Sequence, residues 1–119
     1  MVLVDTSIWI DHLRSGHAKL TELLNEGKVA IHPFITGELA CGNLKNRKEI
    51  IALLHALPHI EKADDDEVLL FIEKHKLMGL GIGLIDIHLL ASCKLGNAQI
   101  LTKDKRLLDT ARQLKVLLS

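Results

Sequence analysis

Short segments rich in branched apolar residues alternate along the chain with longer segments whose apolar residues recur at helical spacing. Segments of the first kind predict buried strands, because a strand covered on both faces reads as a near-continuous apolar run. They are Met1–Val4, Val29–Ile31, Gln99–Thr102 and, with a weaker signal, Val116–Leu118.

Seven helices are predicted from apolar residues spaced three or four positions apart. They cover residues 6–13, 20–24, 34–44, 50–57, 64–72, 84–95 and 107–114. The acidic run Asp64–Glu67 suits a helix start, where it complements the helix dipole. The loop with Gly79, Gly81 and Gly83 fits neither the G-x-G-x-x-G nor the Walker spacing, so it predicts only a flexible entry to the next helix.

Strands that alternate with helices over short connections predict an α/β fold. We expect three layers, α/β/α, with a central, mainly parallel sheet covered by helices on both faces. A chain of 119 residues predicts a single domain over residues 1–119. Ligands of such sheets bind outside the carboxyl ends of the strands, so residues that directly follow a strand are the first candidates for a site.

Four acidic residues lie at the edge of apolar stretches: Asp5 after MVLV, Glu38 in FITGELA, Asp86 in GLIDIHLLA and Asp104 after QILTK. Each alone has an ordinary explanation as a helix cap, a first-turn charge or a solvent-facing residue. Gathered in one pocket they would repel, by roughly 4 kcal/mol for two carboxylates ~4 Å apart at an effective dielectric of about 20. A cation would reverse that sign. Magnesium, which takes a few carboxylates together with water and phosphate, is the predicted ion, with manganese as the alternative.

Charge is balanced overall but not locally. Fifteen basic and fifteen acidic residues give zero formal net charge, so no global field attracts nucleic acid. A basic rim around an acidic, metal-filled centre nevertheless suits phosphodiester chemistry, and solvated helix faces are the alternative explanation. The candidate phosphate contacts are Lys45, Arg47, Lys103 and Arg106. With only one Trp and two Phe, stacking of single-stranded bases on aromatic side chains is disfavoured.

Several other classes of protein are disfavoured by what the chain contains. No run approaches about 18 apolar residues and Asp5 interrupts the first one, so we expect neither a membrane span nor a signal peptide, and a cytoplasmic location. Cys41 and Cys93 lie in apolar segments and predict two buried free thiols. The seven histidines show no zinc spacing, and there is no G-x-S-x-G motif for a serine nucleophile.

The segments VDTSIWIDHLR, ITGELACG, LIDIHLLAS and ILTKDKRL closely resemble those of the PIN-domain ribonucleases, and within them the VapC-type toxins of toxin–antitoxin pairs. The resemblance covers essentially the whole chain and implies a PIN-like fold. It also implies that Asp5, Glu38, Asp86 and Asp104 are the catalytic and metal-binding quartet, with Ser7 and Thr102 as hydroxyls that hold the pocket or its water. Many relatives place a further aspartate where this chain has Arg106.

The function implied by this resemblance is a Mg²⁺-dependent endoribonuclease that hydrolyses RNA with metal-activated water. The resemblance further implies neutralisation by a VapB-type antitoxin, homodimer formation, and DNA binding only indirectly through the antitoxin. Two alternatives stay open. Arg106 gives some support to a catalytically silent PIN-like binding module, whereas Thr6 and Ser7 after Asp5 disfavour a Mg²⁺-dependent phosphoacceptor domain, which normally needs adjacent acidic residues there.

Overall fold

A three-stranded parallel sheet lies at the centre of the computed structural model, which describes residues 1–119. Strand β1 (Val2–Val4) is in the middle, between β2 (Val29–Ala30) and β3 (Gln99–Leu101). Leu3 is opposite Ala30 on one side and Ile100 on the other. The predicted α/β class and parallel sheet are confirmed.

Seven helices flank the sheet, as the apolar spacing predicted. They are α1 (Thr6–Ser15), α2 (Ala18–Asn25), α3 (Pro33–Ala40), α4 (Arg47–His55), α5 (Asp65–His75), α6 (Leu84–Leu95) and α7 (Lys105–Gln113). The acidic run at the start of α5 forms a capping box, in which Asp64 and Glu67 each accept a hydrogen bond from the other's backbone N–H. Helix α3 ends at Ala40, four residues earlier than its apolar pattern predicted.

The last predicted strand, Val116–Leu118, is reduced to a single parallel bridge between Ile100 and Leu117. Its backbone contributes two hydrogen bonds, from the N–H of Ile100 to the carbonyl of Val116 and from the N–H of Leu118 to the carbonyl of Ile100. A similar bridge joins Ile31 to His59 at the other edge. Both outer strands are thus partly covered by irregular backbone, which limits exposure of their hydrogen-bonding edges.

A continuous core of 27 buried apolar residues fills the space between the sheet and the helices. All three residues of β1 are buried, which explains why that segment lacks any polar alternation. The expectation of two buried thiols is wrong for Cys41, which is exposed because it lies at the carboxyl end of α3, whereas Cys93 is buried within α6. None of the helices combines the length and apolarity needed to cross a bilayer.

Candidate active site

Two of the four acidic candidates lie just after the ends of neighbouring parallel strands. Asp5 follows β1 and is the N-cap of α1, and its backbone N–H donates to the carbonyl of Leu101 at 2.9 Å. Asp104 follows β3 after two residues and caps α7, with its Oδ1 accepting from the N–H of Leu107 at 3.1 Å. Because β1 and β3 are adjacent and parallel, both carboxylates lie at the carboxyl edge of the sheet.

The carboxylate of Asp5 is buried and held by three hydrogen bonds to one oxygen. Its Oδ2 accepts from the hydroxyl of Ser7 at 2.7 Å, the hydroxyl of Thr102 at 2.8 Å and the backbone N–H of Ser7 at 3.4 Å. Only 6% of the Asp5 surface is exposed. Ser7 and Thr102, both singled out from the sequence, therefore fix the orientation of this carboxylate.

The same two hydroxyls hold the loop that joins β3 to α7. Thr102 Oγ1 accepts from the N–H of Asp104 at 3.0 Å, and Ser7 Oγ accepts from the N–H of Lys103 at 3.3 Å. Each hydroxyl thus donates to Asp5 and accepts from the loop. Thr102 therefore connects the carboxylate of Asp5 to the backbone of Asp104.

Glu38 and Asp86 come from two helices that border this edge. Glu38 is exposed on α3, and its Oε1 accepts from the hydroxyl of Thr6 at 2.9 Å, which ties it to the first turn of α1. Asp86 is half-buried in the first turn of α6. The N-cap of this helix is Gly83, so no side chain caps its first N–H groups. A first-turn carboxylate is favoured there by the helix dipole.

The carboxylate of Asp86 lies within electrostatic reach of the other three acidic side chains. Burial is the larger cause, and together with the negative charges of Asp5, Asp104 and Glu38 it raises the pKa of Asp86 to about 6. Residues far apart in the sequence are therefore brought within electrostatic reach of one another. We refer to these four carboxylates as the carboxylate cluster.

The chemistry of the cluster suits a hard divalent cation. It offers only oxygen donors, and it carries an excess of negative charge that a cation would compensate. No three His, Cys, Asp or Glu side chains are arranged to ligate one ion directly. Because Mg²⁺ usually keeps several waters and takes only one or two carboxylates, this arrangement fits an ion held partly through water.

The four candidate phosphate contacts differ in their surroundings, although all four are exposed. Lys103 Nζ donates to Asp11 Oδ2 on α1 at 2.7 Å, and Arg106 Nη1 donates to the carbonyl of Gly81 at 3.0 Å. The Arg47 guanidinium donates to the carbonyls of Ala40 and Gly42, where it caps the end of α3. Three of the four side chains thus have a protein partner.

Lys45 lies in a groove of about 630 Å³ between α1 and the connection from α3 to α4. Arg14 of α1 and Glu38 of the carboxylate cluster also line this groove. Its floor includes the apolar side chains of Ile10 and Leu13. The groove, which we call the α1–α3 groove, is therefore continuous with the cluster.

Sequence reasoning missed three side chains that touch the site. Thr6 hydrogen-bonds Glu38, and Asp11 pairs with Lys103, but neither contact is indicated by the sequence pattern. Arg14 lines the same groove as Glu38. Of these three residues only Thr6 could have been suspected from the sequence, because it lies between Asp5 and Ser7, which the resemblance selects.

Comparison with known proteins identifies the family to which this α/β chain belongs. A family model described as the PIN domain matches residues 2–113. Two proteins named Ribonuclease VapC32, from Mycobacterium tuberculosis strains CDC 1551 / Oshkosh and ATCC 25618 / H37Rv, are each 44% identical to the chain over 108 residues. The aligned region covers 90% of this chain and 87% of each relative. The chain therefore belongs to the PIN-domain family and, within it, to the VapC-type proteins.

Proposed function

We propose that this protein is a metal-dependent endoribonuclease toxin of the VapC type that uses Mg²⁺, with Mn²⁺ as a substitute. The single observation that carries the proposal is the buried carboxylate of Asp5, which Ser7 and Thr102 hold at the carboxyl edge of the sheet beside Asp104. The charges of Asp5, Asp104 and Glu38 also act on Asp86. The 44% identity to proteins named as ribonucleases supports the reaction class.

In this proposal the carboxylate cluster holds the ion. Asp5 and Asp86 are its main ligands, and Glu38 and Asp104 complete the site directly or through water. When bound, Mg²⁺ supplies a Lewis acid that activates a water molecule and offsets charge on the phosphoryl oxygens. Ser7 and Thr102 act on Asp5, since their hydroxyls occupy its Oδ2 and keep its other oxygen in one orientation.

Cationic side chains around the cluster are proposed to contact the RNA phosphates. Lys45 is the first of these, because it lies in the groove that adjoins Glu38. Lys103, Arg106 and Arg47 would contribute while keeping or exchanging their protein partners. Hydrolysis of the phosphodiester would leave a 3′-hydroxyl and a 5′-phosphate.

The proposed partners follow from the family. A VapB-type antitoxin would neutralise the enzyme, and an arginine fork is a suitable group to dock on an uncompensated carboxylate cluster. We further propose a homodimer and a cytoplasmic location, with DNA bound only through the antitoxin.

The proposal is tested with Asp5→Asn, which keeps the size of the side chain and removes its charge. We expect the variant to fold, to be at least as stable as the wild type, and to lose Mg²⁺-dependent RNA cleavage. A folded variant that cleaves RNA at the wild-type rate would overturn the assignment.

A catalytically silent binding module is the second candidate, because no three side chains are arranged to ligate an ion directly. Calorimetric titration of the wild type with Mg²⁺, combined with a cleavage assay, separates the two. Mg²⁺ binding together with RNA cleavage supports the endoribonuclease. RNA binding without Mg²⁺ binding and without cleavage supports the silent binding module.

A further inference from the structure

His32 is a buried histidine outside the carboxylate cluster, and the proposed reaction does not use it. Its side chain is fully buried between the end of β2 and the start of α3. Its Nδ1 accepts from the backbone N–H of Phe34 at 3.0 Å, so it is the N-cap of α3. A ring nitrogen that accepts carries no proton, which places the proton of this neutral imidazole on Nε2.

The second ring nitrogen reaches a different helix. His32 Nε2 donates to Ser92 Oγ of α6 at 3.2 Å, across 60 residues of sequence. Ser92 Oγ also accepts from the backbone N–H of Ala63, just before α5, at 3.2 Å. Both acceptor positions of this buried hydroxyl are therefore used, and three separate segments meet at it.

The helices that His32 connects each carry one member of the carboxylate cluster. Glu38 lies six residues after His32 along α3, and Asp86 lies six residues before Ser92 along α6. The two helices have their main packing partners elsewhere, α3 on α1 and α4, and α6 on α5 and β3. Besides the hydrogen bond, the ring of Phe34 meets the ring of His88 edge-on, with centroids 4.9 Å apart.

We infer that His32 is a positioning residue, whose two ring nitrogens fix the helix bearing Glu38 against the helix bearing Asp86. A smaller capping residue such as Asn or Ser would cap α3 equally well but would not span to Ser92. An apolar residue would fill the volume but would provide neither hydrogen bond. Burial lowers the pKa of His32 to about 4, so the neutral ring persists across the physiological range.

This inference rests on the proposed function, because it assigns His32 an effect on metal binding and cleavage. The test uses His32→Asn, which retains a cap on α3, and Ser92→Ala, which removes only the far partner. His17 provides a matched control, since its Nδ1 caps α2 by accepting from the N–H of Leu20 at 3.2 Å. Helix α2 carries no site residue, so His17→Asn makes the same chemical change away from the cluster.

The first readout is Mn²⁺ affinity of the purified protein by calorimetry, followed by kcat and KM for RNA cleavage. We expect His32→Asn and Ser92→Ala each to raise the Kd for Mn²⁺ and lower kcat by about tenfold, the scale seen when groups that orient ligands are lost. The double variant should be no worse than either single variant, because both remove the same bond. His17→Asn should leave Kd and kcat within about twofold, because Asn still caps α2 and the change lies away from the carboxylate cluster.

The second readout does not depend on metal or activity. Cys41 at the end of α3 is exposed, whereas Cys93 is fully buried with its pKa raised to about 12, so a spin label reacts at Cys41. A second label is attached after Leu95→Cys, at the exposed end of α6. Pulsed electron paramagnetic resonance between the labels should show a shifted or broader distance in His32→Asn and Ser92→Ala but not in His17→Asn.

The two readouts separate failure of the inference from failure of the proposed function. If the wild type binds no Mn²⁺ and cleaves no RNA, the proposed function is wrong, and the claim that His32 positions a metal site falls with it, whatever the label distances show. If the wild type is active and either variant changes the distance without changing Mn²⁺ affinity or kcat, the positioning role is overturned. An unchanged distance in folded Ser92→Ala overturns the inference directly, even if His32→Asn does not fold.

Discussion

The hydroxyl of Thr102 donates a hydrogen bond to Oδ2 of Asp5 at 2.8 Å, across 97 residues of sequence. It also accepts from the N–H of Asp104, so one side chain links the carboxylate of Asp5 to the backbone of Asp104. A single hydroxyl therefore ties the carboxylate of Asp5 to the backbone segment that carries Asp104. Disturbing it should affect the site more than the fold.

Replacing Thr102 with Val keeps the volume and removes the hydroxyl. The N–H of Asp104 and Oδ2 of Asp5 then each lose a hydrogen-bond partner. We therefore expect a loss of about 1–3 kcal/mol in unfolding free energy. Cleavage should fall about 10–100-fold, as for other groups that orient metal ligands. Thr21→Val is the control, since its hydroxyl bonds only the nearby carbonyl of His17 on an exposed face. Equal activity of the two folded variants would contradict the linking role.

The raised pKa of Asp86 predicts how the stability of the metal-free protein depends on pH. Its pKa is about 6 in the folded protein, above the ordinary value near 3.8. Between pH 3.8 and about 6 the folded state binds a proton at Asp86 more tightly than the unfolded state does. The free energy of unfolding therefore falls as pH rises through this range, and the loss is complete above it. Replacing Asp86 with Asn removes this loss and should stabilise the protein at pH 7.5 by about 1–2 kcal/mol after allowance for solvent screening.

Urea unfolding of the wild type and Asp86→Asn at several pH values measures this difference. We expect the two curves to converge near pH 4 and to separate as pH rises to 7. A wild type that is more stable than Asp86→Asn at pH 7.5 without metal would show that burial and repulsion do not dominate at this carboxylate.

Divalent metal should compensate the electrostatic repulsion within the carboxylate cluster and so stabilise the folded protein. Mg²⁺ or Mn²⁺ at about 100 times its Kd should stabilise the wild type by about 2.7 kcal/mol, because the ion binds only the folded state. Thermal unfolding with added metal, and again after chelation, measures the shift in Tm. Asp5→Asn should show little or no shift, and an equal shift in both proteins would place the metal elsewhere.

Lys45 and Arg47 are two residues apart and should behave differently when replaced by Ala. Arg47 caps the carbonyls at the end of α3, so its loss should reduce stability by about 1 kcal/mol. Lys45 lies in the α1–α3 groove, so its loss should weaken RNA binding and reduce the salt dependence of binding while leaving Tm unchanged. RNA titrations at several salt concentrations, using the Asp5→Asn background to prevent cleavage, distinguish the two effects.

Much of the fold could be predicted from local patterns. The helices and the three strands were marked by apolar spacing and by breaks at glycine and proline, and parallel strands dictate that Asp5 and Asp104 share one edge. Predictions failed where burial or strand pairing is decided by the position of a segment in the fold and not by its local pattern. Val116–Leu118 pairs with the sheet through only one residue pair and so does not form a strand. Cys41 has apolar neighbours in the sequence but lies at an exposed helix end.

The contacts that organise the site were less accessible from sequence. Thr6 with Glu38, His32 with Ser92, and Lys103 with Asp11 join residues whose separation follows no local periodicity. Each partner also has an ordinary role as a cap, a core residue or a surface charge. Such pairs emerge only when the packing of helices on the sheet brings them together.

Convergence of the carboxylate cluster on one ion is the central claim, and paramagnetic broadening by Mn²⁺ tests it most directly. In a nuclear magnetic resonance titration of the isotopically labelled protein, substoichiometric Mn²⁺ should broaden the backbone signals of Asp5, Glu38, Asp86 and Asp104 together. The same titration of Asp5→Asn should leave them sharp. Broadening confined to other surface carboxylates, or none at all, would contradict the account.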